Sequence, residues 1–134
     1  MIKLNVGGTL FTTTVATLTK YPYSMLAIMF NPERRRAATV ATLTKYPERR
    51  RAAEKDDNGN FFLDRNPRAF EYILEFLRNA RLPEDIVGCS IEQVEWEADY
   101  FGLQEILKII GERKKAKKEK EEKKMKLLDY VLDL

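Results

Sequence analysis

The sequence predicts an α+β fold in which a small three-stranded sheet is flanked by a cluster of about five helices. Short segments with alternating or β-branched residues occur near the N-terminus and again around residue 62. Segments with helical spacing of apolar residues fill much of the remainder. The resulting order is two strands, two helices, one strand and three helices. It lacks the regular alternation that parallel βαβ units require, so helices are expected to collect on one compact sheet.

The first two strands are predicted to form a β-hairpin. Residues 2–6 (IKLNV) alternate apolar and polar side chains, which is the pattern of a half-buried strand. Two glycines then give a turn signal, and residues 9–15 (TLFTTTV) are rich in β-branched side chains. The third strand is expected over residues 60–64, after a turn at 57–59.

The first two helices are predicted from their termini. Residues 15–21 give a short helix that Pro22 ends. A second helix is predicted within residues 23–30 (YSMLAIMF), with Ser24 as its candidate N-cap. Because that segment is apolar on every side, the second helix is expected to be buried.

The later helices also carry terminal signals. Asn66 and Pro67 suit the N-cap and the first position of a helix. The core face of that helix is predicted from the spacing i, i+3, i+4, i+7: Phe70, Ile73, Leu74 and Leu77. Ser90 caps the next helix and Gly102 stops it. A final short helix, LQEILKII, is predicted to end at Gly111.

The predicted organisation is one domain over residues 1–110 and a charged helical tail over residues 111–134. The tail begins with a mixed-charge run from Glu112 to Lys126 and ends in an apolar stripe formed by Leu127, Leu128, Val131, Leu132 and Leu134. The favoured interpretation is a solvated helix whose apolar end folds back onto the domain or a neighbour. A dedicated partner-binding helix is the alternative.

Residues 32–55 form an unusual insertion within the domain. The nonapeptide TVATLTKYP occurs at 14–22 and again at 39–47, and ERRRAA occurs at 33–38 and 48–53. Two copies, of which the second lacks the main apolar segment, do not fit a solenoid. The interpretation is a tandem duplication, natural or artificial, in a surface loop that tolerates insertion.

The net charge of +3 conceals an asymmetry along the chain. Residues 33–55 carry eight basic and three acidic side chains, and residues 112–126 carry nine and four. Everything else therefore sums to −7. Two basic segments thus accompany an acidic body, and the overall charge says little about partners.

The residue types argue against an enzyme, a metal site and a bound cofactor. The chain has no histidine, which removes the commonest general base and metal ligand, and Cys89 is its one cysteine. Paired carboxylates at Asp56–Asp57 and Glu95–Asp99 are of a kind common on loops and helices. Core filling is the prediction for Trp96 and for a set of ring side chains: Phe61, Phe62, Phe70, Tyr72, Phe76, Tyr100 and Phe101.

A cytoplasmic location is expected. The longest apolar stretch, residues 25–30, is far shorter than the roughly 20 residues that cross a bilayer. The N-terminal MIKLNVGG lacks the basic-then-apolar order of a secretion signal. A single cysteine cannot form an intramolecular disulfide, which suits a reducing compartment.

Five ordered motifs resemble the BTB/POZ domain of the potassium-channel tetramerisation (KCTD-like) family. They are LNVGG, the TLTKYPYSML segment, FFLDR, the FEYILEFL helix and the late EADYFGL. The resemblance covers residues 2–31 and 56–110. It implies a module that homo-oligomerises into tetramers or pentamers through polar faces, with head-to-tail contacts that close a ring.

By position, the resemblance implies five subunit-interface residues: Asn5, Thr12, Thr13, Asp64 and Arg65. Short hydroxyl and amide groups can exchange hydrogen bonds across a boundary, and an Asp–Arg pair can form between subunits. Local roles are the alternative for the same residues, as strand formers or as braces for the helix that begins at Pro67. Many channel-type domains carry an intersubunit zinc site of one His and three Cys. This sequence has no His and only one Cys, Cys89, which favours the zinc-free KCTD-like variety.

Several functions remain open from the sequence. The leading hypothesis is a homo-oligomeric interaction module that serves as an adaptor for a cullin-type ubiquitin ligase. The resemblance also allows a detached assembly domain of a voltage-gated potassium channel. A third hypothesis is a basic binder of nucleic acid or acidic lipid, through Arg34–Arg36, Arg49–Arg51 and Lys114–Lys126; an enzyme is favoured least.

Overall fold

The computed structural model describes residues 1–31 and 54–134, and the α+β prediction is confirmed. The described residues form four strands: β1 (Ile2–Val6), β2 (Thr9–Thr13), β3 (Glu54–Lys55) and β4 (Phe61–Leu63). They also form five helices: α1 (Val15–Leu18), α2 (Met25–Phe30), α3 (Pro67–Asn79), α4 (Ile91–Tyr100) and α5 (Gln104–Leu132). The duplicated copies at 39–53 lie outside the described residues.

The sheet is mixed, with strand order β2-β1-β4-β3. The predicted hairpin is present, with Leu4 opposite Phe11 in the antiparallel β1–β2 pair. Strand β4 runs parallel to β1, with Val6 opposite Leu63. Among the described residues the sheet has one strand more than predicted, because Glu54–Lys55 pairs with β4 instead of belonging wholly to the insertion.

The hairpin turn is held against the end of β4. Gly7 adopts a left-handed φ of +56°, and a Cβ added there would clash with the carbonyl oxygen of Arg65. The Gly7 N–H donates to the carbonyl of Leu63 at 2.9 Å. A residue without a side chain is therefore required where these two segments meet.

The predicted caps are present. The Ser24 hydroxyl accepts from the N–H of Ala27, and the Asn66 side chain accepts from the N–H groups of Arg68 and Ala69. Ser90 and Gln93 form a full capping box at the start of α4. These bonds satisfy N–H groups that the first turn of a helix leaves without partners.

The two described parts of the chain share one hydrophobic core. Phe70 on α3 packs edge-on against Phe11 of the hairpin and against Phe101 after α4, with ring centroids 5.4 and 5.6 Å away. The carbonyl of Phe101 accepts from the N–H of Met25 at 2.8 Å, which fixes the start of α2 beside the end of α4. The sheet, α2, α3 and α4 thus enclose a single interior.

Helix α5 differs from the prediction. It continues through Gly111 without a break and ends only at Leu132, so the prediction of a helix end at Gly111 was wrong. Ile106 and Ile110 bury its first turns against the core. No helix in the described parts of the chain combines the length and apolar character needed to span a membrane.

Candidate oligomerisation surface

The outer face of the sheet carries a row of three neighbouring side chains. Asn5 lies opposite Leu10 on β2 and opposite Phe62 on β4. Leu10 is 64% exposed and Phe62 is 37% exposed, whereas Leu4 and Val6 on the other face of β1 are fully buried. This alternation follows from the two-residue period of a strand. We call Lys3, Asn5, Leu10, Thr12 and Phe62 the outer sheet face.

The Asn5 side chain is held rigidly at the centre of this face. Its amide nitrogen donates to Asp56 Oδ2 at 2.9 Å, and its oxygen accepts from the N–H of Gly8 at 2.8 Å. One amide therefore joins the hairpin turn to the segment between β3 and β4. A polar group fixed by two bonds is already oriented for contact with a partner.

The Asp56 carboxylate accepts several hydrogen bonds in the adjoining turn. Its Oδ1 accepts from the backbone N–H groups of Asn58 at 3.0 Å and Asn60 at 2.8 Å. The bond from the Asn5 amide, and then these backbone bonds, lower the pKa of the Asp56 carboxyl below its ordinary 3.8. The carboxylate form is thus the one that this turn stabilises.

The two threonines expected at the interface lie on opposite faces of the sheet. Thr12 is exposed on the outer face, and its carbonyl accepts from Arg78 Nη2 at 2.9 Å. Thr13 is only 6% exposed and lies on the core side. Of this pair, Thr12 alone lies beside Asn5 on a surface that a second molecule could reach.

Asp64 and Arg65 both follow β4, but they lie in different environments. Asp64 is exposed. Arg65 forms a bidentate pair with Glu97 on α4, with Nε–Oε2 and Nη2–Oε1 distances of 3.0 and 2.9 Å. Its guanidinium also lies over the ring of Tyr100, 3.9 Å from the centroid. Two of its donors are therefore used inside the protomer.

Sequence reasoning missed Leu10, Phe62 and Glu97 at this surface, and its prediction that Phe62 fills the core was wrong, because that ring is 37% exposed. The strand period gives a usable signal for the first two, because Leu10 and Phe62 alternate with inward residues. No local sequence pattern indicates that Glu97 pairs with Arg65, because the two residues are 32 positions apart. Glu97 lies on the buried side of α4 and is only 5% exposed.

Trp96 on α4 also departs from the prediction. It was expected to fill the core, but it is 65% exposed. Nearby, the carboxylate of Glu95 pairs with Lys114 on α5 at 2.9 Å, which ties the two helices together. Trp96 therefore belongs to the surface.

The described residues offer little for metal or thiol chemistry. Within residues 1–31 and 54–134, no group of three His, Cys, Asp or Glu side chains is placed to hold a metal ion. Partial burial raises the pKa of the Cys89 thiol, an effect that the nearby Arg68 partly offsets. A raised pKa keeps Cys89 in the unreactive thiol form.

Comparison with known proteins finds a clear family match. The model of the BTB/POZ domain family matches residues 2–110. The chain is 38% identical over 114 residues to the mouse and human BTB/POZ domain-containing protein KCTD21, covering 84% of this chain and 36% of theirs. It is 32% identical over 110 residues to human BTB/POZ domain-containing protein KCTD14, covering 82% and 35%. The chain thus spans about a third of the length of these relatives.

Proposed function

Because the chain belongs to the BTB/POZ family of the potassium-channel tetramerisation, KCTD-like type, we propose that it homo-oligomerises into a closed tetramer or pentamer. Domains of this family serve in protein interaction and oligomerisation. A ring requires two different faces on each protomer that fit one another. The outer sheet face is proposed as one of them.

The row of Leu10, Asn5 and Phe62 carries this proposal. Interface centres combine exposed apolar side chains with a few polar groups of fixed geometry. Leu10 and Phe62 supply exposed apolar area on either side of Asn5, whose amide is locked by Asp56 and Gly8. Burial of both apolar side chains under a neighbour would stabilise the assembly by about 25 cal/mol for each Å² removed from water.

The five predicted interface residues take different parts in the proposal. Asn5 and Thr12 contact the neighbouring protomer directly, and the exposed Asp64 lies at the rim. Thr13 acts from the core side by fixing the strand. Arg65 acts by holding Glu97 and Tyr100 in place, and its remaining N–H groups are the ones available to a neighbour.

A charge placed at Leu10 tests the surface. In the Leu10→Lys variant, light scattering after gel filtration is expected to give a mass near the 15.7 kDa of one chain, because a buried unpaired lysine opposes assembly. Val87→Lys is the control, since Val87 is 76% exposed and lies away from the sheet. Equal masses for both variants, with native circular dichroism, would refute this surface.

The assembled ring is proposed to act as an adaptor for a cullin-type ubiquitin ligase in the cytoplasm. The family is generally non-enzymatic, and action by binding fits that membership. The relatives named above are KCTD proteins, which favours the adaptor over the detached assembly domain of a potassium channel. Capture of a purified cullin scaffold by the intact chain is expected. Capture of a channel assembly domain instead would reverse this preference.

A further inference from the structure

The second half of α5 leaves the body of the protein. Within residues 1–31 and 54–134, the last side-chain bonds from α5 to the body are those of Arg113, which donates to the carbonyls of Leu82 and Pro83, and of Lys114, which pairs with Glu95. From residue 114 to residue 134 every position is exposed. At 1.5 Å per residue, this segment extends about 30 Å. We call residues 114–134 the projecting tail.

The end of the projecting tail is apolar, and its side chains are exposed. The sequence favoured an apolar end that folds back on the domain or on a neighbour, and in this chain the end is not packed on the domain. Leu127 is 65% exposed, Val131 is 54% exposed and Leu134 is 88% exposed. Helical spacing of about 100° per residue spreads the apolar side chains over more than half of the circumference. They are Met125, Leu127, Leu128, Tyr130, Val131, Leu132 and Leu134.

The lysines before this end are sorted between the two sides of the helix. The same spacing places Lys117, Lys120, Lys123 and Lys124 on the side of Leu127 and Val131, with Glu121 as the acidic residue among them. We call this side the tail face. On the opposite side, Lys115, Lys118 and Lys126 are balanced by Glu119, Glu122 and Asp129. Positive charge is therefore concentrated beside the apolar surface.

We propose that the projecting tail docks on an anionic lipid membrane surface. The lysines of the tail face meet the acidic headgroups, and the apolar end enters the boundary between headgroups and acyl chains. Because the same side of α5 packs on the body at Ile106 and Ile110, the helix meets the bilayer inclined, with its apolar end deepest. This inference goes beyond ring formation and stands independently of it.

A second copy of the tail suits these observations less well. Tails bundled through the tail face would bring lysines of several copies together, and like charges repel. A coiled-coil seam is a narrow stripe, whereas this apolar surface covers more than half of the helix and lasts for about three turns. Nucleic acid would use the lysines and leave the apolar end in water. An anionic bilayer would contact both the lysines of the tail face and the apolar end.

Two lysine variants with equal loss of charge form the test. The tail-face variant carries Lys117→Gln, Lys120→Gln and Lys124→Gln, and its control carries Lys115→Gln, Lys118→Gln and Lys126→Gln. Flotation of the full chain with phosphatidylcholine vesicles, in which about a third of the lipid is phosphatidylserine, measures binding. Binding is expected to weaken at least about tenfold in the tail-face variant and less than about threefold in the control.

A third variant examines the apolar end. Leu127→Gln, Leu128→Gln, Val131→Gln and Leu132→Gln keep good helix formers and remove apolar surface, so vesicle binding is expected to fall at least about tenfold. Native mass is measured alongside and should not change. The proposal is overturned if the unmodified chain fails to float with anionic vesicles, or if both lysine variants weaken equally. A change in native mass in the third variant, with vesicle binding intact, would assign the tail to self-assembly instead.

Discussion

At the scale of single residues, the Arg65–Glu97 ion pair joins the segment after β4 to α4. Glu97 has a side chain only 6% exposed, and that of Arg65 is 28% exposed. A carboxylate removed from water needs a partner with matching geometry, and the guanidinium provides two bonds and a contact with the Tyr100 ring. The pair therefore fixes the segment after β4 against α4.

Removal of one partner from this pair is expected to be costly. Arg65→Ala leaves the Glu97 carboxylate buried and unpaired, and should lower the free energy of unfolding by about 2–3 kcal/mol. The double replacement Arg65→Met with Glu97→Leu should cost less than that single change, because no buried charge remains. Urea unfolding at one protein concentration measures both. A double variant less stable than Arg65→Ala would contradict the account.

The Asp56 turn predicts a dependence of stability on pH. Its pKa in the folded chain lies below the ordinary 3.8, so the unfolded chain binds the proton more readily. The stabilisation is complete above 3.8 and is lost as the pH falls through the folded-state pKa. The urea midpoint of Asp56→Asn should therefore lie below that of the unmodified chain near about pH 7, and the gap should narrow under acid. Asp57→Asn, which changes an exposed neighbouring residue, is the control. If the difference in urea midpoint between Asp56→Asn and the unmodified chain did not change with pH, the proposed contribution of the Asp56 carboxylate would be refuted.

Interactions between residues close together in the sequence could be predicted from the sequence alone. The caps at Ser24, Asn66 and Ser90 depend on side chains that bond to N–H groups two or three positions away, so local chemistry suffices. The partner of Arg65 depends on packing of α4 against the end of β4. A contact of that kind becomes visible only when the fold is known.

At the scale of elements, α5 shows how a helix can pass through a glycine. Gly111 suggested a helix end, since glycine is common after the last turn. Strong helix formers on both sides keep the segment helical, and the cost of one interior glycine is only about 1 kcal/mol. Gly102, with φ of +69°, is the true stop between α4 and α5.

The two glycines should respond oppositely to alanine. Gly111→Ala is expected to raise the free energy of unfolding by about 0.5–1 kcal/mol, because a Cβ there meets nothing within 4 Å. Gly102→Ala should lower it by about 1–3 kcal/mol, because of its left-handed φ and a Cβ contact of 3.1 Å with the Met25 nitrogen. Thermal unfolding followed by circular dichroism measures both. Destabilisation by Gly111→Ala would show that the helix ends there after all.

Two further differences between sequence and structure belong to this scale. Strand β3 is formed by Glu54 and Lys55, which have no β-branched or aromatic side chain, and it exists because β4 offers an edge for pairing. Trp96 lies two positions after the buried Val94, on the far side of α4. Helical period predicts an exposed position there, and the large apolar ring suggested the opposite. Position along the helix outweighs residue type in this case.

At the scale of the whole molecule, sequence and structure agree on one interior built from two separated blocks. Phe70 joins the hairpin to the end of α4, so neither block can bury its apolar face alone. What the sequence could not show is the surface that remains once this core is formed. The outer sheet face and the projecting tail are defined only by which side chains the fold leaves exposed.

These two surfaces lie on different elements, and different functions are proposed for them. The outer sheet face is proposed to join copies of the chain, and the projecting tail is proposed to dock on a membrane. Because the two surfaces are separate, a change in one of them is expected to leave the function of the other intact. Leu10→Lys should reduce the native mass, whereas the glutamine changes at the apolar end should leave it unchanged. A variant that altered both properties together would argue against separate tasks.

The most direct test of the central claim is the native mass of the intact chain in solution. Native mass spectrometry at tens of micromolar is expected to give one species at four or five times the 15.7 kDa chain mass, because a closed ring has a fixed number of subunits. A single species at the mass of one chain, from protein with native circular dichroism, would contradict the proposed ring.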